Sequence, residues 1–145
     1  MSLINKKIKN ATPTVVGDIN FRSRFEAQAY KLLLEAGFIV EYEAVKIPLM
    51  TGFRPEKENY YAPEKKYRGH IVLQDKKIRD ITYTPDFVVN KKYLIEIKGK
   101  ENDVYAVKQK LFRRALNDLD YIFFEVRTLD QLKETIRIIE EHESL

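Results

Sequence analysis

Apolar positions along the chain switch between two periods, and the switches mark out the expected elements. From Ser23 to Ala36 they fall at Phe25, Ala29, Leu32, Leu33 and Ala36, the spacing of one helical face, with Gly37 as a C-terminal stop. Phe38 to Ile47 alternates instead: Phe38, Val40, Tyr42, Ala44 and Lys46 face one way, Ile39, Glu41, Glu43, Val45 and Ile47 the other. That predicts a strand, ended by Pro48. Val- and Ile-rich runs flank Asn90-Lys91-Lys92, predicting a hairpin within Tyr83 to Lys100. The helical period returns from Asp103 to Asn117 through Val104, Val107, Lys108, Leu111, Phe112 and Ala115. Tyr121 to Val126 is an apolar run broken only by Glu125, the pattern of a buried strand. Thr128-x-x-Gln131 then opens a last helix through Leu132, Ile136 and Ile139.

The order α-β-β-β-α-β-α places the chain in the α/β class, a mixed sheet with helices on its faces. Residues 1–19 carry Lys6, Lys7 and Lys9 without a sustained apolar period and read as a flexible basic arm or an element ordered only by a partner. Residues 20–145 are expected to form one domain. Residues 49–77 are long for a plain connection, so they form a functional loop or a partly extended excursion. Within them His70 to Leu73 is expected to pair with Ile78 to Tyr83. Basic residues interleaved with Tyr60, Tyr61 and Tyr67 suit phosphates and unpaired bases, whereas the plainer reading packs these rings onto the body.

Composition narrows the chemistry. Zero cysteines exclude disulfides and thiolate zinc sites, and fit a reducing compartment. Two histidines, His70 and His142, give little support to a His-rich metal site or a Ser-His-Asp triad. No apolar run approaches the roughly 20 residues that span a bilayer, and no signal-peptide pattern is present. The net charge of +4 hides an asymmetry: from Asn117 onward eight acidic residues face three basic ones, leaving the first 116 residues at +9. A basic body suits a polyanionic partner and supplies affinity without base specificity.

Candidate chemistry sits in the hairpin. Leu94, Glu96 and Lys98 share one strand face, Tyr93, Ile95 and Ile97 the other, and the antiparallel return brings Asp86 across from the Glu96–Lys98 end. Mg²⁺ takes oxygen ligands at roughly 2.0–2.1 Å, and Asp86, Glu96 and the Ile97 carbonyl are of the right kind. Such an ion polarises a phosphoryl group and activates water, and Lys98 can orient that water or neutralise transition-state charge. Spacing alone equally admits an exposed Glu–Lys pair on a solvated sheet. Glu26 is likewise open at this point: Ser23-x-x-Glu26 is a capping-box pattern, and Glu26 also flanks the apolar stripe, where it can face the hairpin.

These residues also carry a resemblance. The element order with Pro85-Asp86 and Glu96-Ile97-Lys98 resembles the PD-(D/E)xK nuclease superfamily. More narrowly, Phe21-Arg22-Ser23, Glu26, Gly37, Glu41-Tyr42-Glu43, Lys46, Pro48, Tyr83-Thr84-Pro85-Asp86-Phe87 and Lys98-Gly99 resemble the phage endonuclease I family, which resolves four-way DNA junctions. The resemblance covers residues 20–48 and 80–100 closely. It implies an αβββαβ restriction-endonuclease-like core, followed here by a C-terminal helix. It implies a Mg²⁺- or Mn²⁺-dependent endonuclease with Glu26, Asp86 and Glu96 as metal carboxylates and Lys98 as the catalytic lysine. It implies DNA, branched duplex above all, as partner, and a homodimer of intertwined subunits. The setting it implies is the bacterial cytoplasm, with a phage or prophage gene. Arg22, Ser23, Lys46, Lys108, Lys110, Arg113 and Arg114 are the expected DNA contacts. Two departures stand out. The segment between Pro48 and Tyr83 is longer than in that family, where the dimer exchange lies, and a short acidic helix replaces further C-terminal sequence. RecB-like exonucleases carry Gln-x-x-x-Tyr on the helix after Glu-x-Lys; here Gln109 is followed by Arg113.

Overall fold

The structure, a computed structural model, describes residues 13–64, 69–99 and 102–145. In chain order its elements are β1 (Thr14–Val16), β2 (Ile19–Phe21), α1 (Arg24–Glu35), β3 (Val40–Tyr42), β4 (Ile47–Met50), β5 (Tyr60–Tyr61), β6 (Val72–Leu73), β7 (Ile81–Tyr83), β8 (Phe87–Val89), β9 (Tyr93–Ile97), α2 (Asp103–Ala115), a 3-10 turn at Leu116–Asp118, β10 (Ile122–Val126) and α3 (Leu129–Glu143). The chain is mixed α/β, and its described residues divide into two units. One runs to Ile47 and resumes at Tyr83; the other is Pro48–Thr82.

The first unit is built on a four-stranded mixed sheet in the order β10-β9-β8-β3. β8 and β9 form the expected hairpin, antiparallel with Phe87 opposite Ile95. Its turn is tight because Asn90 and Lys91 both adopt positive φ (50° and 59°), and Lys92 N–H bonds the Val89 carbonyl at 3.0 Å. Asn is among the residues that tolerate this region best. β10 joins β9 in parallel after the α2 crossover, with Phe124 beside Ile95 and Glu125 beside Glu96. β10 ends the sheet and is half-buried except for Val126, so the expectation of a fully buried strand is corrected.

α1 starts where its cap dictates. The Ser23 hydroxyl accepts the Glu26 N–H at 3.1 Å, and Gly37 takes the left-handed conformation (φ 87°) after the last turn. α3 carries a complete capping box between Thr128 and Gln131. Both helices bury their apolar stripes on one sheet face, where Ala29, Leu33, Phe87, Ile95, Leu132 and Ile139 are fully enclosed. Each such large side chain contributes roughly 1.5–3 kcal/mol of burial.

Three expectations are corrected. The strand expected from Phe38 to Ile47 stops at Tyr42, because Glu43 turns to positive φ (50°) and gives its N–H to the Asp86 carbonyl. Pro48 does not end a strand but lies inside β4, in a two-stranded sheet with β7. A proline is tolerated there because an edge position needs no inward N–H. The described part of the N-terminal arm, residues 13–19, belongs to a hairpin, β1 with β2, turned at Gly17 (φ 59°); Lys6, Lys7 and Lys9 lie outside the described residues.

The second unit is an antiparallel ribbon. β6 pairs with β5, Tyr60 opposite Leu73, rather than with Ile78 to Tyr83 as expected. Phe53 and Ile78 exchange both backbone bonds at 2.9 and 2.7 Å. Gly52 is needed at this crossing: a Cβ there would stand 2.6 Å from the Ile78 carbonyl oxygen. Tyr60 and Tyr61 are about half exposed. Tyr67 lies outside the described residues, as does Lys100.

Candidate active site

The second face of the four-stranded sheet has another character. Alternation sends Leu94 and Glu96 away from the α1–α3 core, and the parallel register sets Phe123 and Glu125 beside them. α2 covers this face. The Asn102 side chain caps it by accepting the Tyr105 N–H at 2.7 Å, and its buried residues are Tyr105, Lys108, Gln109 and Phe112, spaced i, i+3, i+4, i+7. The Phe112 ring packs against Tyr83 (centroids 4.6 Å) and Phe123 (4.8 Å).

This phase differs from the expected one. Val107, placed on the apolar stripe by periodicity, is 59% exposed, and Lys108 is buried, which lowers its pKa. Tyr105 and Phe112 have partners on the sheet, and those contacts outweigh the burial of one valine. Lys110, Arg113 and Arg114 are exposed as expected. Lys108, expected on the apolar stripe at the margin of that basic face and also as a DNA contact, lies on the buried side.

The acidic residues come from three places. Asp86 precedes β8 and is buried; its carboxylate accepts the Ile97 N–H at 2.7 Å. Glu96 on β9 accepts the Tyr83 phenol at 2.7 Å. Glu26, in the first turn of α1, accepts the Tyr42 phenol at 2.6 Å and the Ser23 hydroxyl at 3.4 Å. Its carboxylate is thus turned to the Tyr42 phenol, while the Ser23 oxygen does the capping.

Burial and mutual repulsion set the electrostatics. Burial pushes the Asp86 carboxyl well above the ordinary range, and the charges of Glu96 and then Glu26 add to it; the Ile97 N–H and Arg22 oppose. Burial, with a smaller push from Glu26, raises Glu96 to about 7 against the Tyr83 bond and the charge of Lys98. Glu26 is raised by burial, partly offset by Tyr42 and Arg22. Burial and the adjacent carboxylates raise Tyr42 and Tyr83, so both phenols stay protonated donors at neutral pH.

Asp86, Glu96 and Lys98 therefore meet on one partly buried surface, with Glu26 close enough to influence both carboxyls from the helix layer opposite. Among the described residues no group of three or more Asp, Glu, His or Cys side chains could hold a metal ion as they lie. The donors nonetheless suit a hard dication: two mutually repelling carboxylates, Asp86 buried and Glu96 half-buried, with a third, buried carboxylate at Glu26 held by a phenol. Asp86, Glu96 and the Ile97 carbonyl would hold such an ion, and Glu26 would join by turning from Tyr42.

Of the expected DNA contacts, Arg22 is engaged: it pairs with Glu43 at 3.0 Å and its charge also lowers Glu26 and Asp86. Ser23 is the helix cap. Lys46 is exposed, and the Arg113 guanidinium lies over the Phe123 ring at 5.2 Å. Residues that sequence reasoning did not single out for the site are Tyr42, Tyr83, Tyr105, Glu125 and Arg127. The Lys98 ammonium stands 3.8 Å from the centre of the Tyr105 ring, and the Tyr105 phenol donates to Glu125 at 2.5 Å. One signal was available: Glu125 is the sole charge in an otherwise apolar strand.

No helix among the described residues is long and apolar enough to cross a membrane. No curated protein and no solved structure matches the chain. A family model does match, over residues 6–133 of the 145, and the chain accordingly belongs to the family of proteins of unknown function DUF1064.

Proposed function

We propose that this protein is a divalent-metal-dependent DNA endonuclease, selective for branched duplexes, whose reaction is carried by Glu26, Asp86, Glu96 and Lys98. The observation that carries the reading is the Asp86–Glu96 pair, Asp86 buried and Glu96 half-buried, with both carboxyls raised beside the buried Lys98. A folded chain gains nothing in stability from burying like charges together, because well-packed apolar groups of the same volume would do better. Perturbed carboxyls concentrated in one place are the mark of a site. The order α1, β3, β8, β9, α2, β10 gives further support, since it is the order of the restriction-endonuclease-like core that the motifs resemble.

Mg²⁺ or Mn²⁺, when bound, supplies charge neutralisation at the phosphate and water of lowered pKa. The chain's residues do the rest. The Ile97 N–H fixes Asp86, the Tyr83 phenol fixes Glu96, and the Lys98 ammonium offsets the charge that grows on the phosphoryl oxygens. In the hydrolysis the water oxygen bonds phosphorus in line, the opposite P–O ester bond breaks, and the leaving oxygen takes a proton. Lys46, Lys110, Arg113 and Arg114 serve as phosphate contacts that position DNA without reading bases. The proposed active form is a homodimer, intertwined or not, because paired nicks across a branch point need two linked sites.

One observation favours a second reading, a DNA-binding module without catalysis: Glu26 is turned to Tyr42 rather than to Asp86. A cleavage assay separates the two. The full chain is incubated with a four-way junction, a linear duplex, single strands and a supercoiled plasmid in Mg²⁺, Mn²⁺ or EDTA. The endonuclease reading expects junction cutting and plasmid nicking, both abolished by EDTA, with Glu96→Gln retaining binding and losing cutting. Binding without any cutting would establish the module, equal rates on all substrates a general nuclease, and cutting only from ends an exonuclease.

A further inference from the structure

We propose that Tyr105, Glu125 and Arg127 form a positioning relay that holds the Lys98 ammonium beside the acidic pair. The purpose of the relay rests on the nuclease reading; its existence rests on a closed circuit of contacts that begins and ends at one residue. The Lys98 N–H bonds the Val126 carbonyl at 2.8 Å, which fixes its backbone. The next carbonyl, of Gly99, accepts from Arg127 Nη1 at 3.2 Å. Arg127 Nη2 reaches Glu125 Oε1 at 3.5 Å, and Glu125 Oε2 accepts the Tyr105 phenol at 2.5 Å. The Tyr105 ring then lies 3.8 Å from Lys98 Nζ.

Each link answers a physical need. A lysine head rides on a flexible four-carbon stem, and a ring face attracts it without consuming its charge. Burial and Glu125 raise the Tyr105 phenol, so the ring remains a neutral donor instead of becoming an anion that would tie the ammonium down. Glu125 stands in register beside Glu96, where a bare carboxylate would add a further like charge to the pair. Bonds to Tyr105 and Arg127 engage both oxygens of that carboxylate.

Lys98 is the catalytic residue in this scheme and Tyr105 acts through it, so the test reads position as well as rate. The full-length chain is compared with Tyr105→Phe, which keeps the ring, and Tyr105→Leu, which keeps bulk alone. The Lys98 ε-methylene proton resonance, assigned by its loss in Lys98→Arg, is expected upfield of ordinary lysines in the unaltered chain and in Tyr105→Phe, and at the ordinary position in Tyr105→Leu. In junction cleavage, Tyr105→Phe should retain kcat within about fivefold and Tyr105→Leu lose about 30-fold, KM staying unchanged in both. An ordinary Lys98 resonance in the unaltered chain, or Phe and Leu variants equal in both readouts, would overturn the relay. Absence of cleavage by the unaltered chain would instead sink the nuclease reading, and the resonance series alone would then decide whether the relay exists.

Discussion

The two faces of the four-stranded sheet are both covered by helices, yet they are built on opposite principles. Under α1 and α3 the contacts are apolar and fully enclosed, from Leu33 through Phe87 and Ile95 to Leu132. On the other face the buried polar residues are Asp86, Lys98, Lys108 and Gln109, with Glu96 half-buried, stitched by phenols and aromatic rings, and the Gln109 amide has no hydrogen-bond partner among the described residues. The comparison teaches where stability comes from and where it is given up. One face supplies the folding free energy, and the other keeps charges that solvent would hold more cheaply.

The largest effect is expected on the apolar face. Ile95→Ala removes a fully buried side chain at the sheet centre and should destabilise by roughly 2–5 kcal/mol, read by urea denaturation. A cost under about 1 kcal/mol would show that this face is not the main source of stability.

The acidic face should reveal itself through pH. Glu96 is raised from the ordinary 4.5 to about 7, so between those values the folded chain binds more protons than the unfolded one. Metal-free stability must therefore fall as pH rises from about 4.5 to 7, by roughly 3 kcal/mol for a shift of this size. Asp86, raised in the same direction, deepens the fall. Glu96→Gln should flatten the profile and leave the chain more stable than the parent at pH 7.5. A parent profile that rises across this window would contradict the assignment.

Tyr42→Phe is the smallest and most discriminating change. Loss of the phenol that holds Glu26 should cost about 1 kcal/mol at pH 7. It should also tighten Mn²⁺ binding if the phenol keeps Glu26 from the ion. Weaker Mn²⁺ binding would mean that Tyr42 orients Glu26 toward the site.

The backbone plan of the first unit was legible because its signals are local. Asn90 marks the hairpin turn, Ser23 and Gly37 bracket α1, and Thr128 with Gln131 opens α3. Strand alternation correctly put Glu96 and Lys98 on the face away from the Ile95 core. What escaped depends on partners distant in sequence. α2 is turned toward Tyr83, Lys98 and Phe123, so its phase follows those contacts and not the apolar count that had favoured Val107. The ribbon pairs Tyr60 with Leu73 because Gly52 permits a close crossing at Ile78, and no period in the sequence encodes that. The engagement of Glu26 by Tyr42 spans sixteen positions and two elements, and a capping pattern alone points elsewhere.

Calorimetric titration of the full chain with Mn²⁺ at pH 7.5, set against the same titration of Asp86→Asn and Glu96→Gln, tests most directly whether the acidic pair is a cation site. The unaltered chain should bind the ion, and each substitution should weaken binding by about tenfold or more. Identical isotherms for all three proteins, or no binding by the unaltered chain, would contradict the proposal.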